Sequence, residues 1–407
     1  MTSTVYIAKT VYGGDGLGRL GDGRVVFVSG AWAGEQVKAE IVEERRQFVR
    51  ARLVEVVEPS KDRLSPPDAS VPGMVYASLS YAGECAAKKA QLEEALSRAH
   101  LDAPSVEVVE CSACPTAHYR NKVVYHFAEE KGVWAIGYRE EPSHRVIDIK
   151  SDPLACDEIN AALPAIRQNV LRLLSTGPKA VRLSTAQKAS LTIRWTKKSG
   201  VKWWLGDAPQ DLVLRETTCD VDFEVAADGF YQVNPAVHEH LARAVVDEYR
   251  RGGAPEVVDL YCGVGVFGLL MRRAVSADAS LVGVEASARA IAFARKNAAR
   301  LGVRAATFFA GKTAACLKRL DLSARTTLVV DPPRGGFERG VAEFLAAHPV
   351  GQILYVSCDP ATLARDLRAL ARTYEIESVR LLNLFPRTAR FETLAVLRPR
   401  PRQGEAK

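Results

Sequence analysis

The sequence predicts an α/β protein with a Rossmann-like C-terminal domain, an N-terminal OB-like β-barrel and a β-rich central domain between them. Three observations support this fold class. Short Val-rich runs separated by glycine turns fill residues 1–59, further strand-like runs follow a linker helix in 60–215, and strands alternate with helices in 216–407. Because alternating strands and helices build a parallel sheet, we expect ligands to bind at the carboxyl ends of its strands.

The N-terminal segment has the pattern of a small barrel. Gly-Asp-Gly turns at 14–16 and 21–23 separate alternating Val-rich runs, and Pro59 ends the pattern. The segment resembles a TRAM domain, the OB-like RNA-binding module attached to several RNA-modifying enzymes. An ordinary small barrel without a ligand is the alternative.

Composition favours a protein of a reducing compartment. The 407-residue chain has a net charge of +7, and its N-terminus, MTSTVYIAKT, lacks the charged and apolar regions of a signal peptide. No apolar run reaches the ~18 residues of a membrane span. We therefore expect a cytoplasmic protein that does not bind membranes and acts as a monomer. The eight cysteines should be thiols unless they bind metal; no metal site is predicted, and the only close pair is Cys111 and Cys114.

A basic segment is the best candidate for contact with nucleic-acid phosphates. Residues 178–204 contain seven Lys and Arg, among them Arg194, and no acidic residue. Three tryptophans lie among them: Trp195, Trp203 and Trp204. Clustered positive charge with interleaved aromatics suits phosphate neutralisation and base stacking, although a solvated strand face fits the pattern equally well.

A glycine-rich turn indicates an adenosine cofactor. The buried run VVDLY ends in Gly263-Val-Gly265-Val-Phe-Gly268, an apolar helix follows, and Glu285 lies twenty residues after Gly265 at the end of the next strand. Glycines let the backbone approach a ligand, and the acid would bind a ribose. A dinucleotide and S-adenosylmethionine both fit this pattern.

Two further acids favour S-adenosylmethionine over a dinucleotide. Asp259, inside the strand before the glycines, could meet an amino-acid ammonium, whereas a pyrophosphate would be repelled there. Asp331, in LVVDPPRGG, would add a second negative charge at the same sheet edge, which suits a sulfonium.

A cysteine lies at the end of another predicted strand. In ILYVSCDPATLARDL the apolar run stops before Cys358, and a helix begins after Pro360. A nearby helix N-terminus should lower the pKa of the thiol. The alternative is a small buried cysteine that fills a gap in the core.

Five motifs in order give the chain a family resemblance. FYQVNP (230–235), DLYCGVGVFG (259–268), VVDPPRGG (329–336), YVSCDPATLARDL (355–367) and FPRTARFETLAVL (385–397) resemble the RNA uridine C5-methyltransferases, and YRNK (119–122) and the TRAM-like segment fit as well. The resemblance therefore covers nearly the whole chain. It implies a class I methyltransferase domain that uses S-adenosylmethionine to methylate a uridine in RNA.

The resemblance also implies roles for individual residues. Cys358 would add to C6 of uracil as the nucleophile, and Glu392 would remove the C5 proton. The cofactor would contact Gln232, Tyr261, Glu285 and Asp331. Val266 and Arg390 depart from the family, which commonly has Asn and His at these positions.

Many members of the family hold a [4Fe-4S] cluster, and we predict that this chain does not. Asp68, Val71 and Met74 stand where three of the cysteines would fall, and only Cys156 matches the fourth. One thiolate cannot hold a four-iron cube. Cys85, Cys111 and Cys114 could in principle replace the missing ligands, but their spacing differs from that of the family's cluster cysteines.

The RNA substrate is expected to be structured. A buried thiol requires an extruded base, which favours a loop or bulge. A TRAM-like domain favours 23S ribosomal RNA, with tRNA as the alternative. An NAD-dependent oxidoreductase and a non-catalytic RNA-binding protein remain alternatives, but neither explains the presence of both Cys358 and Glu392.

Overall fold

The N-terminal strands form a closed barrel. The computed structural model describes residues 2–111, 113–140, 143–175, 190–275 and 280–401. Strands β1 (Thr2–Thr10), β2 (Gly16–Arg19), β3 (Val25–Ser29), β4 (Gln36–Glu44) and β5 (Phe48–Glu58) close in the order β1-β2-β3-β5-β4. Alternate residues such as Val5 and Ile7 are buried inside, because successive strand residues point to opposite faces. The predicted barrel is confirmed.

A second, five-stranded antiparallel sheet lies in the central part of the chain. Helix α1 (Tyr81–Arg98) and the short strand β6 (Glu107–Val108) come first. Strands β7 (Lys122–Glu130), β8 (Val133–Arg139), β9 (Val146–Asp148), β10 (Ser190–Thr196) and β11 (Gly200–Leu205) form the sheet in the order β11-β10-β7-β8-β9. Helix α2 (Asp157–Ser175) packs its apolar side on this sheet.

Strands and helices alternate through the C-terminal part, as predicted. A hairpin of β12 (Val213–Thr218) and β13 (Val221–Ala226) precedes it. The helices are α3 (Pro235–Gly252), α4 (Val266–Ala274), α5 (Ala288–Arg300), α6 (Thr313–Leu317), α7 (Val341–Ala347) and α8 (Pro360–Leu370). The strands are β14 (Glu256–Leu260), β15 (Leu281–Glu285), β16 (Ala306–Ala310), β17 (Thr326–Val330), β18 (Gln352–Ser357), β19 (Tyr374–Leu382) and β20 (Glu392–Pro399).

These strands form one sheet in the order β16-β15-β14-β17-β18-β20-β19-β6. Strands β16, β15, β14, β17 and β18 are parallel, whereas β20 runs antiparallel to both of its neighbours, β18 and β19. The first residue of β20 therefore lies at the edge where the parallel strands end. Buried apolar side chains cover both faces of the sheet, which is typical of a doubly wound fold.

Two elements from the predicted central domain pack with the large sheet. Helix α1 lies against α8, and β6 extends the sheet by pairing in parallel with β19. The predicted boundary at residue 215 thus divides the chain in sequence, whereas in space α1 and β6 belong with the C-terminal sheet. None of the helices in the described ranges has the length and apolar character that crossing a membrane requires.

The phosphate-contact hypothesis is wrong for Arg194. This side chain is 1% exposed, and its guanidinium Nη2 lies 2.7 Å from Oε1 of Glu216 on β12. Its Nη1 donates to the carbonyls of Ala227 and Gly229, which lie in the loop after β13. A buried arginine that donates hydrogen bonds to these partners has a structural role. The sequence alone could not distinguish it from an exposed arginine.

Arg194→Ala should lower the free energy of unfolding by about 3–5 kcal/mol, because it leaves the carboxylate of Glu216 buried with too few partners. Urea denaturation followed by circular dichroism measures this change. Lys197→Ala, an exposed neighbour on the same hairpin, is the matched control and should stay within about 0.5 kcal/mol of the wild type. Equal effects of the two substitutions would contradict the structural role of Arg194.

Candidate active site

A large cavity opens at the carboxyl edge of the C-terminal sheet. Its volume is about 1230 Å³, and its walls come from the ends of β14, β15, β17 and β18, the start of β20 and the loop before α3. Most of the predicted site residues line it: Gln232, Tyr261, Gly263, Glu285, Asp331, Cys358 and Glu392. The structure therefore brings together residues that are up to 160 positions apart in the sequence.

The glycine turn and Glu285 form one wall of the cavity. Gly263 has a φ of +53°, and a Cβ atom added to it would meet no atom within 4 Å, so the backbone is bare toward the cavity. Oε2 of Glu285 accepts a hydrogen bond from the Gly263 amide at 3.3 Å, and Oε1 accepts one from the Ser287 amide at 2.8 Å. These bonds fix the carboxylate beside the turn, where it can bind the hydroxyls of a ribose.

Two of the predicted cofactor residues do not line the cavity. Gly265, with a φ of +88°, occupies the N-cap position of α4. Asp259 is 1% exposed, and its Oδ2 accepts a hydrogen bond of 2.8 Å from the amide of Gly268. Burial raises the pKa of Asp259 to about 8. This geometry gives Asp259 a role in holding the start of α4. Its Oδ1 is buried without a hydrogen-bond partner among the described residues, and the contact with an ammonium group stays a prediction.

Cys358 lies between the end of β18 and the start of α8, as the sequence indicates. The prediction of a lowered thiol pKa is nevertheless wrong, since burial, followed by Glu392 and Asp331, raises the pKa of Cys358 to about 11. The amides of Ala361 and Thr362, which begin α8, donate to Oδ1 of Asp359. The N-cap carboxylate thus occupies the donors that would otherwise stabilise a thiolate.

Glu392 and Asp331 form a pair of carboxylates in the same cavity. Glu392 is 2% exposed, and its Oε2 has no hydrogen-bond partner among the described residues. Burial and the neighbouring Asp331 raise the pKa of Glu392 well above its usual value, and burial raises that of Asp331 to about 7. Once ionised, such a carboxylate is a stronger base than one in water.

Sequence reasoning missed several cationic residues around the cavity. Arg120, Lys122 and Arg334 line it, as does Arg390, which was singled out only as a departure from the family. The motifs YRNK and DPPR contain the first three residues and were the available signal. Arg334 opposes the effect of the carboxylates, since its charge lowers the pKa of Cys358.

The barrel contributes a residue that no sequence pattern indicates. Oη of Tyr12, in the loop between β1 and β2, accepts a hydrogen bond of 2.6 Å from Arg390 and donates one of 3.4 Å to Asp359. The Arg390 guanidinium also lies 5.5 Å from the centroid of the Tyr12 ring. The N-terminal barrel therefore contacts the wall of the cavity.

Val266 is the other position at which the chain differs from the common family residue. It packs against the core at the start of α4.

Only part of the basic segment 178–204 is exposed as its predicted contact with phosphates requires. Trp204 is buried, Trp195 is half-buried, and residues 178–189, which include Lys188, lie outside the described residues. Lys197 and Lys198 are exposed in the turn between β10 and β11 and line a second cavity of about 390 Å³ together with Arg273, Arg300, Asp220 and Asp222. Contact with RNA phosphates remains a prediction for these lysines.

The residues at the predicted cluster positions do not fit an iron–sulfur centre. Val71, Met74 and Cys156 pack into the same apolar cluster between α2 and the five-stranded sheet, and Asp68 is exposed. Burial raises the pKa of Cys156 to about 12, which disfavours the thiolate that iron requires. The expectation that all cysteines are thiols is wrong for one pair, because Cys111 and Cys114 are joined as a disulfide. The other six cysteines are free.

Comparisons with known proteins agree on a family. The family model described as tRNA (Uracil-5-)-methyltransferase matches residues 179–400, and the TRAM domain model matches residues 2–54. An uncharacterized RNA methyltransferase from Thermosynechococcus vestitus is 30% identical over 94% of this chain and 95% of that protein. The tRNA (uracil(54)-C(5))-methyltransferase of Schizosaccharomyces pombe is 28% identical over 94% of this chain and 76% of that protein.

One solved structure has the same overall fold. The tRNA (uracil-54, C5)-methyltransferase of Pyrococcus abyssi in complex with S-adenosyl-L-homocysteine superposes with a TM-score of 0.73. The match covers 97% of this chain and all of that chain at 22% sequence identity, so it supports the fold.

Replacing Arg334 with Gln should make Cys358 less reactive, because the lost positive charge raises the pKa of the thiol further. In the wild type, alkylation of Cys358 by iodoacetamide should accelerate about tenfold per pH unit between roughly pH 7 and 9, below the thiol pKa. We expect the variant to react roughly two- to fivefold more slowly at each pH, as peptide mass spectrometry can measure. Arg339→Gln is the exposed control. If Arg334→Gln alkylates as fast as this control, the electrostatic role of Arg334 is refuted.

Proposed function

The chain belongs to the tRNA (uracil-5-)-methyltransferase family, whose members are S-adenosylmethionine-dependent RNA uracil-C5 methyltransferases, and from this premise we propose how it acts. Cys358 attacks a uracil base and Glu392 completes the reaction as a base, on a uridine extruded from structured RNA. The observation that carries this proposal is the placement of Cys358 and Glu392 in the same cavity as Tyr261 and Glu285.

The cavity fits S-adenosylmethionine on one side. Glu285 would bind the ribose, the bare backbone of Gly263 leaves room for the ligand, and Gln232, Tyr261 and Asp331 would complete the contacts. The amide of Glu338 donates to Oη of Tyr261 at 3.3 Å and so fixes that ring at the cavity wall. When bound, the cofactor supplies an electrophilic methyl group on a sulfonium.

Cys358 activates the base. The C5 carbon of uracil is a poor nucleophile, and addition of a thiolate to C6 moves the electrons of the C5–C6 double bond into the ring as an enolate. C5 can then form the new bond to the methyl group. Because burial raises the pKa of Cys358 to about 11, the thiol must first release its proton to solvent, and the charge of Arg334 assists that loss.

Glu392 reverses the addition. After methylation, C5 carries both the methyl group and the original hydrogen, and the base must remove that hydrogen as a proton. The electron pair of the C5–H bond then rebuilds the C5–C6 double bond and expels the thiolate of Cys358. The Oε2 atom of Glu392 suits this role, since it is buried and has no hydrogen-bond partner among the described residues.

The RNA side of the site is basic. Arg120, Lys122, Arg334 and Arg390 line the cavity that contains Cys358, where they can neutralise phosphates next to an extruded nucleotide. Contact between Tyr12 and Arg390 links the RNA-binding barrel to this wall, so that the barrel can hold RNA while the base enters the cavity.

We favour 23S ribosomal RNA as the substrate because of the TRAM-like barrel. The second candidate is tRNA, which the similarity to the fission yeast tRNA (uracil(54)-C(5))-methyltransferase supports, over 94% of this chain and 76% of that protein. A cytoplasmic location and a monomeric state are part of the proposal and are predictions.

Cys358→Ala should abolish methyl transfer while binding of S-adenosylmethionine stays within about twofold of the wild type, because the thiol acts on the RNA. Transfer of a labelled methyl group measures the first quantity and calorimetry the second. Cys316→Ala, a half-buried cysteine outside the cavity, is the control and should remain active. Normal turnover by Cys358→Ala would exclude thiol addition.

Deleting the gene should remove 5-methyluridine from one RNA class. Nucleoside mass spectrometry of separately purified 23S ribosomal RNA and tRNA should show the loss in the ribosomal fraction, and the wild-type gene should restore it. A loss confined to tRNA would transfer the proposal to the second candidate. Unchanged 5-methyluridine in both fractions would refute the assignment of either RNA.

A further inference from the structure

A second group of potential ligands lies outside the cavity. Cys111, Cys114 and His240 each offer one ligand atom, and these atoms all lie within 4.8 Å of one another. Both cysteines are half-buried and His240 is exposed. The cysteines follow β6 closely, and His240 lies in the second turn of α3, so the group joins two elements that are distant in sequence.

The chemistry of these three residues is that of a zinc-class site. Two cysteines in a C-x2-C spacing with a histidine nearby are typical Zn²⁺ ligands. At Zn–S distances of about 2.3 Å and Zn–N distances of about 2.0 Å, tetrahedral ligand atoms lie roughly 3.5–3.8 Å apart. The three ligand atoms here lie within 4.8 Å of one another, so small side-chain movements reach these separations once the disulfide is reduced. The disulfide alone does not account for the imidazole, which approaches the pair from a different element.

We propose that the reduced form of this protein binds one divalent ion of the zinc class through Cys111, Cys114 and His240, with water as the fourth ligand. The disulfide competes with this state. A trialkylphosphine, together with one water molecule, reduces the disulfide to two thiols and becomes a phosphine oxide. Zn²⁺ then displaces the two thiol protons, so that two thiolates and a neutral imidazole bind the metal.

The bound ion would connect the edge of the sheet to the cofactor side of the active site. Strand β6 pairs with β19 at only two positions, and the amide of Val109 adds a bond of 2.8 Å to the Leu381 carbonyl. Helix α3 begins after Asn234, two residues beyond Gln232. A metal between the end of β6 and α3 therefore holds a short edge strand against the helix that follows a predicted cofactor residue.

A matched control lies beside the group. Cys219 is half-buried, and its Sγ donates a hydrogen bond of 3.9 Å to the carbonyl of Glu239, the residue before His240. It is nevertheless absent from the set of ligand atoms that lie within 4.8 Å of one another. Cys219→Ser should therefore leave the proposed site intact while it removes a thiol from the same surroundings.

The test is metal stoichiometry of the full chain. The phosphine-reduced protein is stripped of metal with a chelator, loaded with Zn²⁺ and desalted, and its zinc content per chain is measured by elemental mass spectrometry. In a second sample, Co²⁺ replaces Zn²⁺, because its visible spectrum reports thiolate ligands. We expect about one ion per chain in the wild type and in Cys219→Ser. His240→Ala, on an exposed helix surface, should bind at least about tenfold more weakly, and Cys111→Ser and Cys114→Ser should lose the thiolate–cobalt absorption.

The metal-loaded wild type should also unfold at a higher temperature than the metal-free protein, because a ligand of the folded state stabilises it. A reduced wild type that retains no zinc would overturn the proposal. So would unchanged affinity in a folded His240→Ala variant, or loss of the metal in Cys219→Ser.

Discussion

The antiparallel pairing of β20 with β18 is the constraint on which the candidate active site depends. In this register Ser357 pairs with Thr393, so the residue after β18 and the first residue of β20 lie at the same edge of the sheet. Cys358 and Glu392 are thereby placed on rigid strand ends next to each other. A parallel β20 would put Glu392 at the opposite edge, and the cavity would contain the proposed nucleophile without the proposed base.

The same burial that creates the site also sets its acid–base properties. Cys358, Glu392 and Asp331 all have raised pKa values, since the low-dielectric cavity penalises each negative charge and the carboxylates repel the thiolate. Arg334 is the charge that opposes this effect on Cys358. In the proposed mechanism, Cys358 must therefore be activated before it attacks, and Glu392 is a strong base once it is ionised.

Local sequence patterns predicted the fold, and seven of the nine predicted site residues line the cavity. The glycine turn, Glu285 and the strand before Cys358 are encoded within a few residues each, so their geometry follows from strand and helix signals. Arg194 was misread and Tyr12 was missed because their environments depend on tertiary partners, Glu216 and Arg390 respectively. The prediction of a lowered pKa for Cys358 was wrong for the same reason. Asp359 caps the helix N-terminus, and the buried carboxylates come from other strands.

The most direct test of the central claim is a Glu392→Gln variant incubated with S-adenosylmethionine and RNA that contains the target uridine in its unmethylated form. Addition and methyl transfer need no base at C5, whereas elimination does, so a covalent RNA–protein complex should accumulate and survive a denaturing gel. The complex should disappear in the Cys358→Ala, Glu392→Gln double variant. A folded Glu392→Gln variant that binds RNA and cofactor but forms no adduct, or that releases methylated RNA at the wild-type rate, would contradict the assignment of Glu392 as the base.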